Sequence, residues 1–284
     1  MAREIHTPIE FSRFSLTHTT LVSDLDSSAS GVVFAFTERS GGVSSAPYDS
    51  LNLALHVEDS SEHALKNREI LLDDLGLSGY IAKKRLLVPS QIHSDKIVEI
   101  CEVPREQDYQ ALLDGADGII CTIPGYATLL MYADCVPVVI VGEGAFAVVH
   151  SGWKGTLAHI SKKALLRLCE ITQRSPQDFT CYIGPHINQD SYEVSQELIS
   201  TFTDEFDAGV SSGRLLSLSY AIQKDLKEAG VPEEQIADCK LSTTKLTDRF
   251  FSHRKSGGSC GRHAAIAFFG KDLRNLDNFK LRKA

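Results

Sequence analysis

No two of the seven cysteines are spaced as Cys-x-x-Cys, and none of the ten histidines has another two positions away. The scattered thiols argue for a reducing compartment rather than a disulfide framework, with Cys121, Cys169 and Cys181 serving as small buried hydrophobes. Without a His-x-His pair, too few paired imidazoles remain for the copper cluster of a multicopper oxidase. There is no His-Glu-x-x-His for a zincin, and no His-x-Glu with Pro-Cys-x-x-Cys for the usual zinc nucleobase deaminase. Positive charge is scarce as well: 29 Lys and Arg stand against 37 Asp and Glu, a formal charge of −8 with the signs interspersed. Lacking a basic stripe, the chain is not expected to bind a nucleic-acid polymer, and a small-molecule partner fits better. The longest apolar run is broken by Asp134 and Glu143, and Met1 to Pro8 carries an acid and a proline where a signal peptide has its apolar segment. A cytoplasmic protein with no membrane partner is expected, and oligomeric state leaves no clear trace.

At 284 residues and 43% hydrophobic, the chain can bury a substantial core. The stretches richest in turn residues, around Ser23 to Gly31 and Ser252 to Gly261, lie near the ends, and no repeat or low-complexity tract divides the middle. One domain over 1–284 is expected. Strands are predicted at Val32–Thr37, Lys96–Ile100, Gly118–Thr122, Thr128–Ala133, Val136–Val141, Ala145–His150, Thr180–Ile183 and Ala264–Phe269. Helical spacing is read over Ser60–Leu77, Gly155–Glu170, Val194–Phe202 and Ser217–Ala229. Strands and helices alternate without the rhythm or glycine fingerprint of a dinucleotide fold, which gives an α+β (mixed α/β) class with a central β core flanked by helices.

Three donor side chains sit in three separate apolar runs: His93 in Gln91-Ile92-His93-Ser94, Cys135 in Ala133-Asp134-Cys135-Val136-Pro137, and His150 in His150-Ser151-Gly152-Trp153-Lys154-Gly155. A thiolate and two imidazoles suit Zn²⁺, and three protein ligands leave a fourth position open. Asp134 and Pro137 offend the pattern of an otherwise unbroken β run, and such offences mark functional positions. The same residues support a second chemistry, in which Cys135 is a nucleophile whose thiolate is stabilised by His150. Spacing alone does not separate the two. Arg39 beside Gly41 and Gly42 combines a guanidinium fork with approachable amides suited to a phosphate or carboxylate. The run Phe250 to Lys255, which contains Arg254, reads as a loop over a pocket.

These segments, together with Ser50-Leu51-Asn52-Leu53, Asn67-Arg68, Asp114 to Gly118, Ile183-Gly184-Pro185 and Tyr192-Glu193-Val194, resemble the laccase-domain family of purine nucleoside phosphorylases, once called multicopper polyphenol oxidases. The match runs over nearly the whole chain. The resemblance implies a zinc site of His93, Cys135 and His150. It also implies phosphorolysis of adenosine, inosine and related nucleosides, and deamination of adenosine at the same site. Arg39, Cys135 and His150 are then expected as catalytic residues, and Arg39, Gly41, Gly42, Gln91 and Arg254 as substrate contacts. Copper-dependent polyphenol oxidation, an amidase acting on muramoyl-peptide precursors and a non-catalytic zinc-binding role are the alternatives the family carries. Lys154 stands where that family usually has Arg, Ser191 where Cys often precedes Tyr-Glu-Val, and His253 where Tyr is common; none is a proposed ligand.

Overall fold

Two sheets carry the chain, with strands and helices numbered here along the sequence. The structure, a computed structural model, describes residues 9–24 and 30–270 and the backbone of Arg282–Lys283. The octet Met1 to Pro8 lies outside the described residues. The first sheet runs in the order Arg282–Lys283 (β15), Ser12–Ser15 (β1), Thr20–Ser23 (β2), Val32–Thr37 (β3), His263–Phe269 (β14), Ala127–Tyr132 (β7) and Leu86–Leu87 (β4). The second runs Ile236–Asp238 (β13), Thr180–Ile183 (β10), Val136–Gly142 (β8), Ala145–Ser151 (β9), Gly118–Cys121 (β6) and Ile97–Ile100 (β5). A small hairpin pairs Ser211–Ser212 (β11) with Leu215–Leu216 (β12). Most pairs are antiparallel, while β4 with β7, β5 with β6 and β10 with β13 are parallel, so both large sheets are mixed.

The central strands read as continuous apolar runs because both of their faces are covered. Along β8, Val136, Val138 and Ile140 face the helices, whereas Val139 and Val141 face the other sheet. Along β7 and β14, Leu130, Tyr132, Ala265 and Ala267 point between the sheets, and Leu129, Ile266 and Phe268 point outward. Ser61–Asp74 (α1) closes that outer face with Leu71 and Leu72. Ile160–Thr172 (α4), Gln196–Glu205 (α5) and Leu218–Glu228 (α6) close the opposite face with Leu165, Phe202, Ile222 and Leu226. The result is a helix–sheet–sheet–helix stack. Each large apolar side chain buried this way contributes roughly 1.5–3 kcal/mol.

The eight expected strands are present with ends displaced by at most a residue. The helix expected over Gly155–Glu170 is instead two, Trp153–Leu157 (α3) and α4. His159 breaks them: it sits at φ +57°, and its ring is held by Asp225 at 2.8 Å and Glu205 at 3.0 Å, so the chain turns there instead of continuing. Glu106–Asp114 (α2) has no counterpart in the sequence reading, because Leu112 is its single buried residue and leaves almost no apolar stripe. Among the described residues no helix is long and apolar enough to cross a membrane.

Candidate metal centre

Sheet register brings the three donors together. Cys135 lies in the three-residue turn between β7 and β8, and β8 pairs antiparallel with β9 so that Val136 opposes Ser151 and Pro137 opposes His150. Cys135 is thereby set beside the carboxyl end of β9, where His150 stands. His93 arrives from the loop between β4 and β5, in a left-handed conformation at φ +58°. The donor atoms of His93, Cys135 and His150 all lie within 4.8 Å of one another, and the two imidazoles meet edge to face at 4.9 Å between centroids.

One carboxylate holds two of these ligands in place. Asp117, immediately before β6, is fully buried and accepts N–H bonds from Ile92 (3.2 Å), His93 (3.1 Å) and Ser94 (2.6 Å), and the Ser94 hydroxyl at 2.9 Å. Its Oδ1 also meets His150 Nδ1 at 2.8 Å, while its backbone carbonyl accepts from His150 N at 2.7 Å. Burial would raise the Asp117 carboxyl, but the His150 bond and the Ser94 donors bring it below the ordinary value. An ionised carboxylate only accepts, so the proton sits on His150 Nδ1 and the other ring nitrogen is left to face the cluster. Burial likewise pushes the Cys135 thiol up. The neighbouring His150 charge and bonds from His150 and His93 reverse that and lower it, which favours the thiolate a metal requires. His150 moves the opposite way: burial lowers it, and Cys135 and Asp117 outweigh that and raise it.

The space at the centre fits a metal ion. A Cβ built on Gly152 would lie 3.1 Å from Cys135 Sγ and 3.3 Å from His93 Cδ2, so the absent side chain leaves a cradle bounded by two of the donors. Soft sulfur with two imidazoles is a donor set for zinc or copper rather than for calcium or magnesium. His93 is exposed and His150 is 4% exposed, so the cluster opens to solvent on the His93 side.

The other residues expected at the site have more varied placements. Asp134, at φ +90°, joins three segments behind the cluster: its carboxylate accepts from Thr243 Oγ1 and Arg254 N, both at 2.6 Å, and its carbonyl accepts from Ile187 N. Arg254 thus meets the Cys135 turn through its backbone, while its guanidinium lies over Tyr192 at 5.2 Å and donates to Glu193 O. Gln91 spends its amide on both backbone groups of Met131, at 2.7 and 2.8 Å, and so ties the His93 loop to β7. Arg39 donates to Asp49 O (2.7 Å) and Thr247 O (2.8 Å), pairs with the Asp49 carboxylate at 3.1 Å, and stacks on Phe251. None of these partners is one of the three candidate ligands. Gly41 and Gly42 pack against backbone: a Cβ would meet His18 O at 2.0 Å and Ser50 O at 2.3 Å respectively, and the Gly42 amide donates to Ser50 Oγ.

Three residues outside the sequence-derived set belong to the neighbourhood. Asp117 is the first; its sequence signals are its place in the Asp114 to Gly118 segment that carries the family resemblance and an acid at the mouth of a fully apolar strand. Tyr192, pushed up to about 12 by burial and then by the Cys135 charge, stands near the thiolate. His56, in the loop after Ala54, is lowered by burial first, then by the charges of Arg262, Arg68, His93 and His150. Nothing in its local sequence distinguishes it.

A two-sheet mixed fold with His93, Cys135 and His150 gathered at the end of one sheet defines an α/β protein whose three donors are placed close enough to share a metal ion. Residues 33–270 match the family described as multi-copper polyphenol oxidoreductase laccase, and the chain belongs to that family. A purine nucleoside phosphorylase of Bacteroides thetaiotaomicron is 32% identical over 249 residues, 83% of this chain and 91% of the relative. The purine nucleoside phosphorylase YlmD of Bacillus subtilis is 29% identical over 255 residues, 84% and 88% of the two chains. The crystal structure of YlmD from Geobacillus stearothermophilus superposes with a TM-score of 0.79 at 26% identity, covering 93% of this chain and 99% of that one.

Proposed function

We propose that the chain is a zinc-dependent purine nucleoside phosphorylase that converts adenosine, inosine and related nucleosides with phosphate to the free base and ribose 1-phosphate, and that also deaminates adenosine. The observation that carries this reading is the His93–Cys135–His150 cluster seated on Asp117, in a chain whose relatives bear the phosphorylase name. Copper is the rival ion suggested by the family description. Among the described residues, however, this is the only group of three or more His, Cys, Asp or Glu donors placed to hold a metal, whereas a multicopper site needs several. A zinc ion with an open position supplies Lewis acidity beside the substrate. The reading treats 1–284 as one catalytic domain acting in the cytoplasm on small molecules.

In phosphorolysis a phosphate oxygen bonds to C1′ as the glycosidic C–N bond breaks, and the base leaves with the electron pair and takes up a proton. The chain's part is to orient the two reactants. Arg39 is the proposed phosphate contact, with the phosphate competing against the exposed Asp49 carboxylate for the guanidinium. Tyr192 and Arg254 form the wall beside Cys135 against which the nucleoside rests, and Gln91 acts by holding the His93 loop. Deamination exchanges the purine amine for water and releases ammonia. If Arg39 serves phosphate, Arg39→Ala raises the KM for phosphate by on the order of tenfold or more and leaves deamination nearly unchanged; equal losses in both reject the assignment. The direct test of the function is chromatography of inosine incubated with the purified protein. Phosphate-dependent hypoxanthine supports it, and zinc-loaded protein inert toward every nucleoside contradicts it.

A second reading has one specific observation in its favour. Cys135, His150 and Asp117 form a chain of nucleophile, base and orienting carboxylate, with a 2.8 Å His150–Asp117 bond and a depressed thiol. That arrangement suits an amidase. Stoichiometric zinc retained by Cys135→Ala with activity abolished favours the nucleophile; loss of zinc favours the ligand.

A further inference from the structure

The segment 51–53 collects three arginines from distant parts of the chain. Leu51 N donates to Arg39 O at 2.7 Å, Leu53 N donates to Arg262 O at 3.1 Å, Asn52 Oδ1 accepts from Arg262 N at 3.0 Å, and Leu53 O accepts from Arg68 Nε at 2.8 Å. Arg39 has an anion of its own in Asp49, and Arg13 and Arg249 close on the buried Glu38 carboxylate. Arg68 and Arg262 differ, for among the described residues neither has a carboxylate within ion-pair distance. Arg68 is 7% exposed, and its Nη2 meets only the Met131 thioether at 3.6 Å, a weak acceptor. Arg262 is half-buried and spends Nη1 on Cys260 O (2.7 Å), Gly261 O (3.0 Å) and Cys260 Sγ (3.4 Å). Its Nε and Nη2 have no acceptor among the described residues. Burial lowers the Arg68 guanidinium to about 10, which leaves it charged at neutral pH. Two guanidiniums tied to one backbone residue, one of them desolvated and neither neutralised, are costly, so the missing anion is the feature to explain.

Both arginines are attached to the segments that carry the metal donors. His263 opposes Tyr132 where β14 pairs antiparallel with β7, so Arg262, one residue earlier, comes level with Ala133, the first residue of the Cys135 turn. Cys260, which the Arg262 guanidinium meets, packs with Ala133 and Phe251. Arg68 reaches the side chain of Met131, whose backbone is held by Gln91, two residues before His93. The charges of Arg262, Arg68, His93 and His150 all act on His56, and those of Arg262 and Arg39 act together on His263. The three arginines and the metal donors therefore share one neighbourhood.

We propose that Arg68 and Arg262, gathered by Leu53 beside the Cys135 turn, form with Arg39 an anion subsite that holds the phosphate for the reaction at the metal centre. A guanidinium recognises an oxyanion through paired N–H bonds, and a tetrahedral phosphate has oxygens enough to meet more than one fork, where a carboxylate has two. Held there, phosphate is kept next to the centre at which the nucleoside must present C1′. The identity of the anion rests on the phosphorylase reading; the need for one rests on the two unneutralised guanidiniums.

The test is calorimetric titration of the zinc-loaded full chain with inorganic phosphate, wild type beside Arg262→Gln and Arg68→Met, followed by phosphorolysis kinetics on inosine. The wild type binds one phosphate per chain, and each variant binds it about tenfold or more weakly with its zinc content unchanged. The KM for phosphate rises by a similar factor while the KM for inosine barely moves. Arg68→Met also releases Leu53 O and can cost stability; Arg262→Gln keeps both backbone bonds and decides the matter alone. Absence of phosphate binding overturns the subsite, as does an affinity unmoved by Arg262→Gln, which places the anion on the metal alone. Phosphate bound as expected by a protein that turns over no nucleoside keeps the subsite and sinks the phosphorylase reading. Phosphate-dependent turnover with a phosphate KM unmoved by Arg262→Gln does the reverse.

Discussion

Asp117 supports the centre from behind the candidate ligands. It fixes His93 through the backbone and His150 through the ring, so loss of its charge removes both restraints together. Asp117→Asn is expected to lower zinc affinity by about 10- to 100-fold, the usual consequence of losing a carboxylate behind a histidine ligand; competition against a chelator of known affinity measures it, and unchanged affinity refutes the role. His93, Cys135 and His150 stood out in the sequence as polar donors in apolar runs and through the family resemblance, and the structure gathers their donor atoms within 4.8 Å of one another. Asp117 likewise interrupts an apolar run at the start of β6, but one acid before a strand reads as an ordinary turn residue until the register opposite Val149 is known. Gly41 and Gly42 show the reverse failure: a glycine pair beside Arg39 looks like an anion cradle, whereas close packing on His18 and Ser50 accounts for both.

At the scale of elements, single side chains join pieces distant in sequence. Asp74, at the end of α1, accepts from the backbone of His18 (3.0 Å) and Thr19 (2.7 Å), from Thr19 Oγ1 (2.7 Å) and from the His18 ring, and so pins the β1–β2 turn to the helix. Burial alone would raise its carboxyl, but these four donors hold it below the ordinary value. A depressed carboxyl contributes stability above the unfolded value, and that contribution is lost as pH falls through the folded one. Asp74→Ala is expected to destabilise by about 1–3 kcal/mol near neutral pH, with the difference from wild type shrinking in acid; urea unfolding at two pH values checks both. The long strands were readable because coverage on both faces makes them uniformly apolar. The β1–β2 hairpin was not, since a run such as Ser12–Ser15 buries only Phe14 and carries no pattern. The α3–α4 break was hidden as well, because His159 is anchored by residues 46 and 66 positions away, Glu205 and Asp225.

At the scale of the whole molecule, the layer between the sheets holds a buried imidazole. His263 on β14 is fully buried between Tyr132 and Phe250, and burial first, then Arg262 and Arg39, push it down to about 3. Its folded value lies below its unfolded one, so between about pH 6.5 and the folded value the unfolded chain binds the extra proton and stability falls as pH falls. The slope from this one group approaches about 1.4 kcal/mol per pH unit. His263→Phe, placed among aromatic neighbours, should flatten the stability curve between pH 6 and pH 4.5; an unchanged slope contradicts the assignment. The mixed fold and the helix-flanked β core followed from alternating apolar strands and helical stripes. The two-sheet stack did not, because strand order depends on which faces meet, and no local pattern encodes that.

The central claim is that His93, Cys135 and His150 jointly hold one metal ion. Inductively coupled plasma mass spectrometry of the purified protein, wild type beside Cys135→Ala, tests it most directly. One zinc per chain in the wild type and essentially none in the variant is the predicted result. Stoichiometric zinc in both proteins, or a wild type that binds no zinc when supplied with it, contradicts the account.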